Sequence, residues 1–202
     1  MTVLAHDPQR RTNAELMLDC AALGYLDTRF RVLDPTYGLG NWWKLWCPWE
    51  GRLHRHDLDP AKAPDGPMDF TALAYPARSF DVVAFDPPYK LNGTPTPAVD
   101  AAYGVHEAAS PRDRLDLMLE GLSEAARVTR TGGFVLMKCQ DQVVSGRKVF
   151  QTLLMANHGQ KEANLRLLDM LHVSSYRPQP RGRRQVHSAG NYSSLLVFRK
   201  LS

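Results

Sequence analysis

Asp86-Pro87-Pro88-Tyr89 is the group of residues whose types and order most nearly prescribe a reaction. It closes the apolar run Asp81–Phe85, where two prolines stop a strand abruptly because neither supplies an N–H to a ladder. A carboxylate and a backbone carbonyl can each accept one N–H of an aromatic amine. Doing so draws the nitrogen toward tetrahedral geometry and localises a lone pair otherwise delocalised into the ring. Asp86 offers the side-chain acceptor and Pro87 the carbonyl. Pro87 and Pro88 fix φ and hold that carbonyl still, which is preorganisation rather than binding. Tyr89 can stack on the face of a base, and the matching electrophile is a sulfonium methyl delivered in line. The plain alternative is a rigid strand-ending turn. Average composition produces this string by chance in on the order of one chain in a thousand of this size.

A second candidate follows the run Phe30–Asp34: the turn Asp34-Pro35-Thr36-Tyr37-Gly38-Leu39-Gly40. Glycine lacks a Cβ, so backbone there can approach a ligand closely. The dinucleotide fingerprint is incomplete, since Trp43 stands where its third glycine belongs, and the absence of GK[ST] excludes a P-loop. Asp57 lies 17 residues after Gly40, at the expected end of a second strand. A carboxylate there can accept hydrogen bonds from ribose hydroxyls. Asp59 is its rival, and either reads equally well as a cap or turn residue. Asp69 could take an adenine amino group with Phe70 over the ring face, although alone it reads as a loop aspartate.

Charge is unevenly spread. Residues 1–140 hold 15 Lys/Arg against 18 Asp/Glu, while residues 141–202 hold 10 against 3. A basic C-terminal third suits an acidic polymer such as nucleic acid. Arg177, Arg181, Arg183 and Arg184 share one proline-bearing loop, and Lys90 follows the tetrad directly. Arginine forks match phosphate. A base inside a duplex reaches the tetrad only when flipped out. His54 and His56 alternate on a strand without a third ligand at suitable spacing, so no metal is expected. Trp42, Trp43, Trp46 and Trp49 read as packing residues. Three cysteines with no CxxC pair fit a reducing compartment. No secretory h-region and no membrane-length apolar run is visible, so a cytoplasmic protein is expected.

The elements that must position these residues alternate in type. Thr12–Leu26 has helical apolar spacing, with Thr12 or Asn13 as N-cap. Strands are predicted at Phe30–Asp34, Arg52–Leu58, Asp81–Phe85, Gly133–Cys139, Leu165–Tyr176 and Ser193–Arg199. Helices are predicted at Arg114–Thr129 and Val149–His158, with one starting in WWKLWC. At 202 residues this is one α/β domain with a mostly parallel sheet. Ligands of such sheets bind at the carboxyl ends of strands, where both candidate motifs fall.

From roughly Phe30 to Lys200 the chain resembles the class I S-adenosylmethionine-dependent amino-methyltransferases, the DNA adenine-N6 enzymes above all. DPTYGLGN resembles their cofactor motif, and the resemblance assigns Asp34, Pro35, Thr36, Tyr37, Gly38 and Gly40 to the cofactor. It assigns Asp57 to the ribose, Asp69 with Phe70 to the adenine ring, and Asp86, Pro87, Pro88 and Tyr89 to catalysis. NYSSLLVFRK looks like the family's final strand. The implied fold is Rossmann-like: a seven-stranded, mostly parallel sheet, its last strand antiparallel, with helices on both faces. Motif order is gamma-like, with no separate recognition domain. Recognition then falls to residues 91–112 and 177–191, or to a partner subunit. The implied activity is methylation of adenine N6 in DNA by S-adenosyl-L-methionine. Cytosine N4 ranks lower, since that target goes more often with Ser in place of Asp86. An RNA amino-methyltransferase and a non-catalytic nucleic-acid-binding subunit are the alternatives, and Trp43 disfavours an oxidoreductase.

Overall fold

The computed structural model describes residues 12–91, 110–174, 186–188 and 190–202. Most of the expected 91–112 loop and all four loop arginines, Arg177, Arg181, Arg183 and Arg184, lie outside them.

A six-stranded sheet forms the frame. Its strands are β1 (Val32–Asp34), β2 (Leu53–Arg55), β3 (Phe80–Phe85), β4 (Thr129–Cys139), β7 (Leu165–Ser174) and β8 (Tyr192–Lys200). Their spatial order is β2-β1-β3-β4-β8-β7. β2, β1, β3 and β4 run parallel, and β8 runs antiparallel to both neighbours. The antiparallel final strand is thus present, but among the described residues this sheet has six strands, not seven. Beyond β2 the described chain makes one isolated parallel bridge, Asp57 to Pro67. Three prolines and a glycine in residues 59–68 explain this, since they deny that segment the N–H groups and extended run a ladder needs.

Helices cover both faces. α1 (Asn13–Ala22) opens with a capping box in which Thr12 and Glu15 satisfy each other's backbone N–H. It packs Leu16, Met17 and Cys20 against Val32, Val82, Ala84, Leu136 and Leu195 on one face of the sheet. α2 (Pro111–Val128) starts from a second capping box, Ser110 with Asp113, and carries Pro111 in its first turn. With α3 (Gln151–Lys161) it covers the opposite face through Met118, Leu122, Ala125 and Met155. Alternation along each strand feeds both cores, as a sheet buried on two sides requires. Among the described residues, no helix is long and apolar enough to cross a membrane.

The helix predicted from WWKLWC is not formed. Asn41–Trp43 makes one 3-10 turn, entered from Gly40 in the left-handed region at φ 65°. Pro48 follows closely, and Trp42 and Trp43 point inward to make the hydrogen bonds described below. An element outside the predicted set is the hairpin of β5 (Gln142–Val144) and β6 (Arg147–Val149). Its turn residues, Ser145 and Gly146, both have positive φ, 48° and 78°, as a tight hairpin requires.

Candidate active site

The carboxyl ends of β1, β3 and β4 bring Asp34, Asp86 and Lys138 to the α1 side of the sheet. Asp34, Asp86 and Lys138 each stand two residues after a residue of the α1-side core, Val32, Ala84 and Leu136, and so share its face. The glycine turn and the tetrad are joined directly. Thr36 Oγ1 accepts the backbone N–H of Asp86 at 2.9 Å, and the Thr36 N–H donates to Asp34 Oδ1 at 3.0 Å. The loop after β1 thereby fixes where the loop after β3 begins.

Two neighbouring tryptophans each hold one carboxylate. Trp42 Nε1 donates to Asp86 Oδ2 at 3.0 Å, and Trp43 Nε1 donates to Asp34 Oδ2 at 2.7 Å. The sequence reading has both as packing residues. They are packed, but a buried indole N–H needs an acceptor, and here the acceptors are the two site acids. Asp86 Oδ1 has no hydrogen-bond partner among the described residues although it is shut off from solvent.

Burial pushes the Asp86 carboxyl up from the ordinary carboxylate range, against the pull of Lys138 and the Trp42 bond. Asp34 is pushed up to about 7, chiefly by burial. Its bonds from Trp43 and Thr36 oppose the shift, and the charges of Asp86 and Asp57 add to it. Lys138 is buried within β4, and burial holds its ammonium below the ordinary lysine value. Its Nζ is hydrogen-bonded to Asn13 Oδ1 at the start of α1.

Asp57 binds the glycine turn itself. Its Oδ2 accepts the Gly38 N–H at 2.9 Å and its Oδ1 accepts the Asp59 N–H at 3.0 Å. Asp59 caps the 3-10 turn Pro60–Lys62 and pairs with Lys62 at 2.9 Å. Gly38 and Gly40 take φ values of 56° and 65°. A Cβ on Gly40 would lie 2.6 Å from the Tyr37 hydroxyl, whereas one on Gly38 would meet nothing nearer than 3.9 Å. Pro35 is buried and Tyr37 half-buried. Asp69 stands exposed, with Oδ1 taken up by Thr71. Phe70 packs in the core on Phe85, ring centroids 5.1 Å apart.

Within the tetrad, Pro87 is buried and its carbonyl accepts the Tyr89 N–H at 2.7 Å, leaving a second lone pair for a ligand. The Tyr89 carbonyl accepts from two glutamine side chains, Gln142 at 2.5 Å and Gln151 at 2.7 Å. Gln142 also accepts the Leu91 N–H, so the β5–β6 hairpin braces the exit from the tetrad. Lys90 is exposed, and its carbonyl takes a bond from Arg114. His56 is a strut between the Gly66 carbonyl and the Tyr75 hydroxyl, each at 2.7 Å. His54 accepts from Arg31 and packs edge-on to Phe80.

Sequence reasoning missed Lys138, Asn13, Gln142 and Gln151. For Lys138 a signal existed: a lone cation in the apolar run FVLMKC.

No family model and no curated protein sequence matches the chain. Solved structures do. A protein assigned as a methyltransferase of Bacillus halodurans C-125 superposes with a TM-score of 0.60 at 13% identity, covering 94% of this chain and 99% of its own. TrmN of Thermus thermophilus gives 0.55 at 15% identity over 93% of this chain and 49% of its own. A protein assigned as a DNA modification methylase, also of Thermus thermophilus, is 20% identical over 64% of this chain, with a TM-score of 0.42. This match spans about half of that methylase, 48% of its length. At these identities the likeness is one of architecture, carried by the two superpositions that span nearly all of this chain, and the chain has the class I methyltransferase fold.

Proposed function

We propose that this chain transfers a methyl group from S-adenosyl-L-methionine to an exocyclic amino group of a nucleic-acid base, adenine N6 of DNA first among them. One observation carries the reading: Asp86 Oδ1, at the carboxyl end of β3, is buried and has no partner among the described residues. An orphaned carboxylate oxygen in such a place costs stability unless a ligand donor meets it.

The residues present suit the cofactor. An added Cβ on Gly38 would meet nothing nearer than 3.9 Å, so the backbone of the turn is open to a ligand, and Asp86 Oδ1 is a carboxylate oxygen with no partner among the described residues. When bound, S-adenosyl-L-methionine supplies a methyl group on positively charged sulfur. Asp34 and Asp57 hold the glycine turn in its left-handed form, and Thr36 carries that position to Asp86. Asp86 Oδ1 accepts one N–H of the target amine, and the Pro87 carbonyl accepts the other. The nitrogen lone pair then turns away from the ring plane toward the cofactor side. Tyr89 stacks on the flipped base, and Lys90 with the loop arginines meets phosphate.

The test is methyl transfer from labelled cofactor to DNA and RNA pools, read by nucleoside mass spectrometry. N6-methyldeoxyadenosine is the expected product. A methylated ribonucleoside instead would move the substrate to RNA. Asp86→Ala should abolish transfer while cofactor still binds by titration calorimetry, and retained transfer would remove the tetrad from the mechanism.

A further inference from the structure

Lys138 has no place in the sequence motifs, yet among the described residues it is a buried cation whose charge acts on Asp86. β3 and β4 pair in parallel with Phe85 opposite Met137, so the next step along both strands sets Asp86 beside Lys138. Both lie on the α1 side, Asp86 held there by Trp42 and Lys138 by Asn13. Lys138 is 1% exposed.

A carboxyl shut from water tends to keep its proton. A protonated Asp86 would donate where the amine needs an acceptor. A direct ion pair would cure that, but it would occupy Oδ1, the oxygen the amine requires. The ammonium is tied instead to Asn13, and Oδ1 stays open. We infer that Lys138 is a positioning residue: held by Asn13 of α1, it supplies the counter-charge that keeps Asp86 ionised without filling the acceptor site. This rests on the methyl-transfer reading above.

The other groups facing Asp86 do not serve. From the end of β1 comes Asp34, an acid whose own carboxyl is pushed up in part by the charge of Asp86, so it offers no counter-charge. From the 3-10 turn comes Trp42, a neutral donor. From α1 comes Asn13, also neutral. β4 contributes Lys138 and the Cys139 thiol, which burial holds protonated. Desolvation and Asp86 act on Lys138 in opposite directions, so its charge depends on the same acid it supports.

The test reads the carboxyl directly, so it stands apart from turnover. Infrared difference spectra of wild type minus Asp86→Asn isolate the Asp86 carboxyl band as pH is varied. Wild type should show the ionised form at neutral pH. Lys138→Met should carry the protonated band there, with its midpoint at least one pH unit higher. The acid limb of kcat should move by the same amount, and cofactor affinity should hold within about twofold. Asn13→Ala, which keeps the lysine but frees it, should shift the midpoint in the same direction by less, and it serves if Lys138→Met does not fold. An Asp86 midpoint unchanged in a folded variant overturns the inference. A protein that methylates nothing, yet shows the shifted band, overturns the methyl-transfer reading and leaves the charge pairing intact.

Discussion

The indole N–H of Trp42 donates to Oδ2 of Asp86, and that bond decides which carboxylate oxygen is left for a ligand. With Oδ2 engaged at 3.0 Å, the carboxylate cannot rotate freely, and Oδ1 is presented in one orientation. Trp42→Phe keeps an aromatic ring and deletes the donor. Neither carboxylate oxygen would then have a partner among the described residues. A stability loss of about 1–3 kcal/mol is expected by urea denaturation. Single-turnover methyl transfer should fall by roughly tenfold, equivalent to about 1.4 kcal/mol in the barrier.

The glycine turn separates conformational need from steric need. Gly38 and Gly40 both sit at positive φ, so alanine at either position incurs the left-handed penalty of roughly 1–2 kcal/mol. Only Gly40 also has the Tyr37 hydroxyl 2.6 Å from the added carbon. Gly40→Ala should therefore be the more destabilised of the two, with the larger loss of cofactor affinity. Calorimetric titration alongside urea melts checks the order, and equal effects would contradict it.

Asp34 makes stability depend on pH in an unusual direction. Its carboxyl moves from an ordinary 3.8 to about 7 in the folded protein. Between those values the unfolded chain has released the proton while the folded chain retains it. Stability from this group is thus fully present below about 3.8 and is lost as pH rises toward 7. The slope is at most about 1.4 kcal/mol per pH unit. Asp86 moves in the same direction, whereas Asp65 and Glu124 are shifted down by Arg55 and Arg127 and act at lower pH. Asp34→Asn should make the decline between pH 4 and 7 in urea midpoints shallower than in wild type, leaving the smaller part that Asp86 contributes.

Gly121 is the point where α2 meets the strand that leads into the tetrad. A Cβ there would lie 2.4 Å from the Phe85 ring and 2.7 Å from Phe70. Alanine improves helix propensity by up to about 1 kcal/mol, but overpacking costs about 1–3 kcal/mol. The net expectation for Gly121→Ala is a lower melting temperature. Because Phe85 precedes Asp86, methyl transfer should fall more than cofactor affinity does.

The tetrad, the glycine turn and most strands were legible because each is local. A run of apolar residues stopped by Pro or Gly carries its own boundary. The hairpin Gln142–Val149 was legible in principle, since Ser145-Gly146 sits between two short β-rich runs. The indole bonds were not. Whether a tryptophan donates to an acid depends on segments 44 residues apart meeting at their ends, as Trp42 and Asp86 do. Lys138 shows the same limit: an apolar strand pattern says that it is buried, but not that α1 brings Asn13 to hold it. Phe70, expected over a ligand ring, sits in the core against Phe85 and Gly121. Pattern alone could not separate those two burials.

The lone Asp57–Pro67 bridge leaves β2, three residues long, as one rim of the sheet. So short a ledge offers a passing extended peptide too few free amides to zip onto. A full-length outer strand would need guarding by charge or proline. Here brevity does the guarding, and that margin of the molecule is protected from edge-to-edge aggregation without help from its side chains.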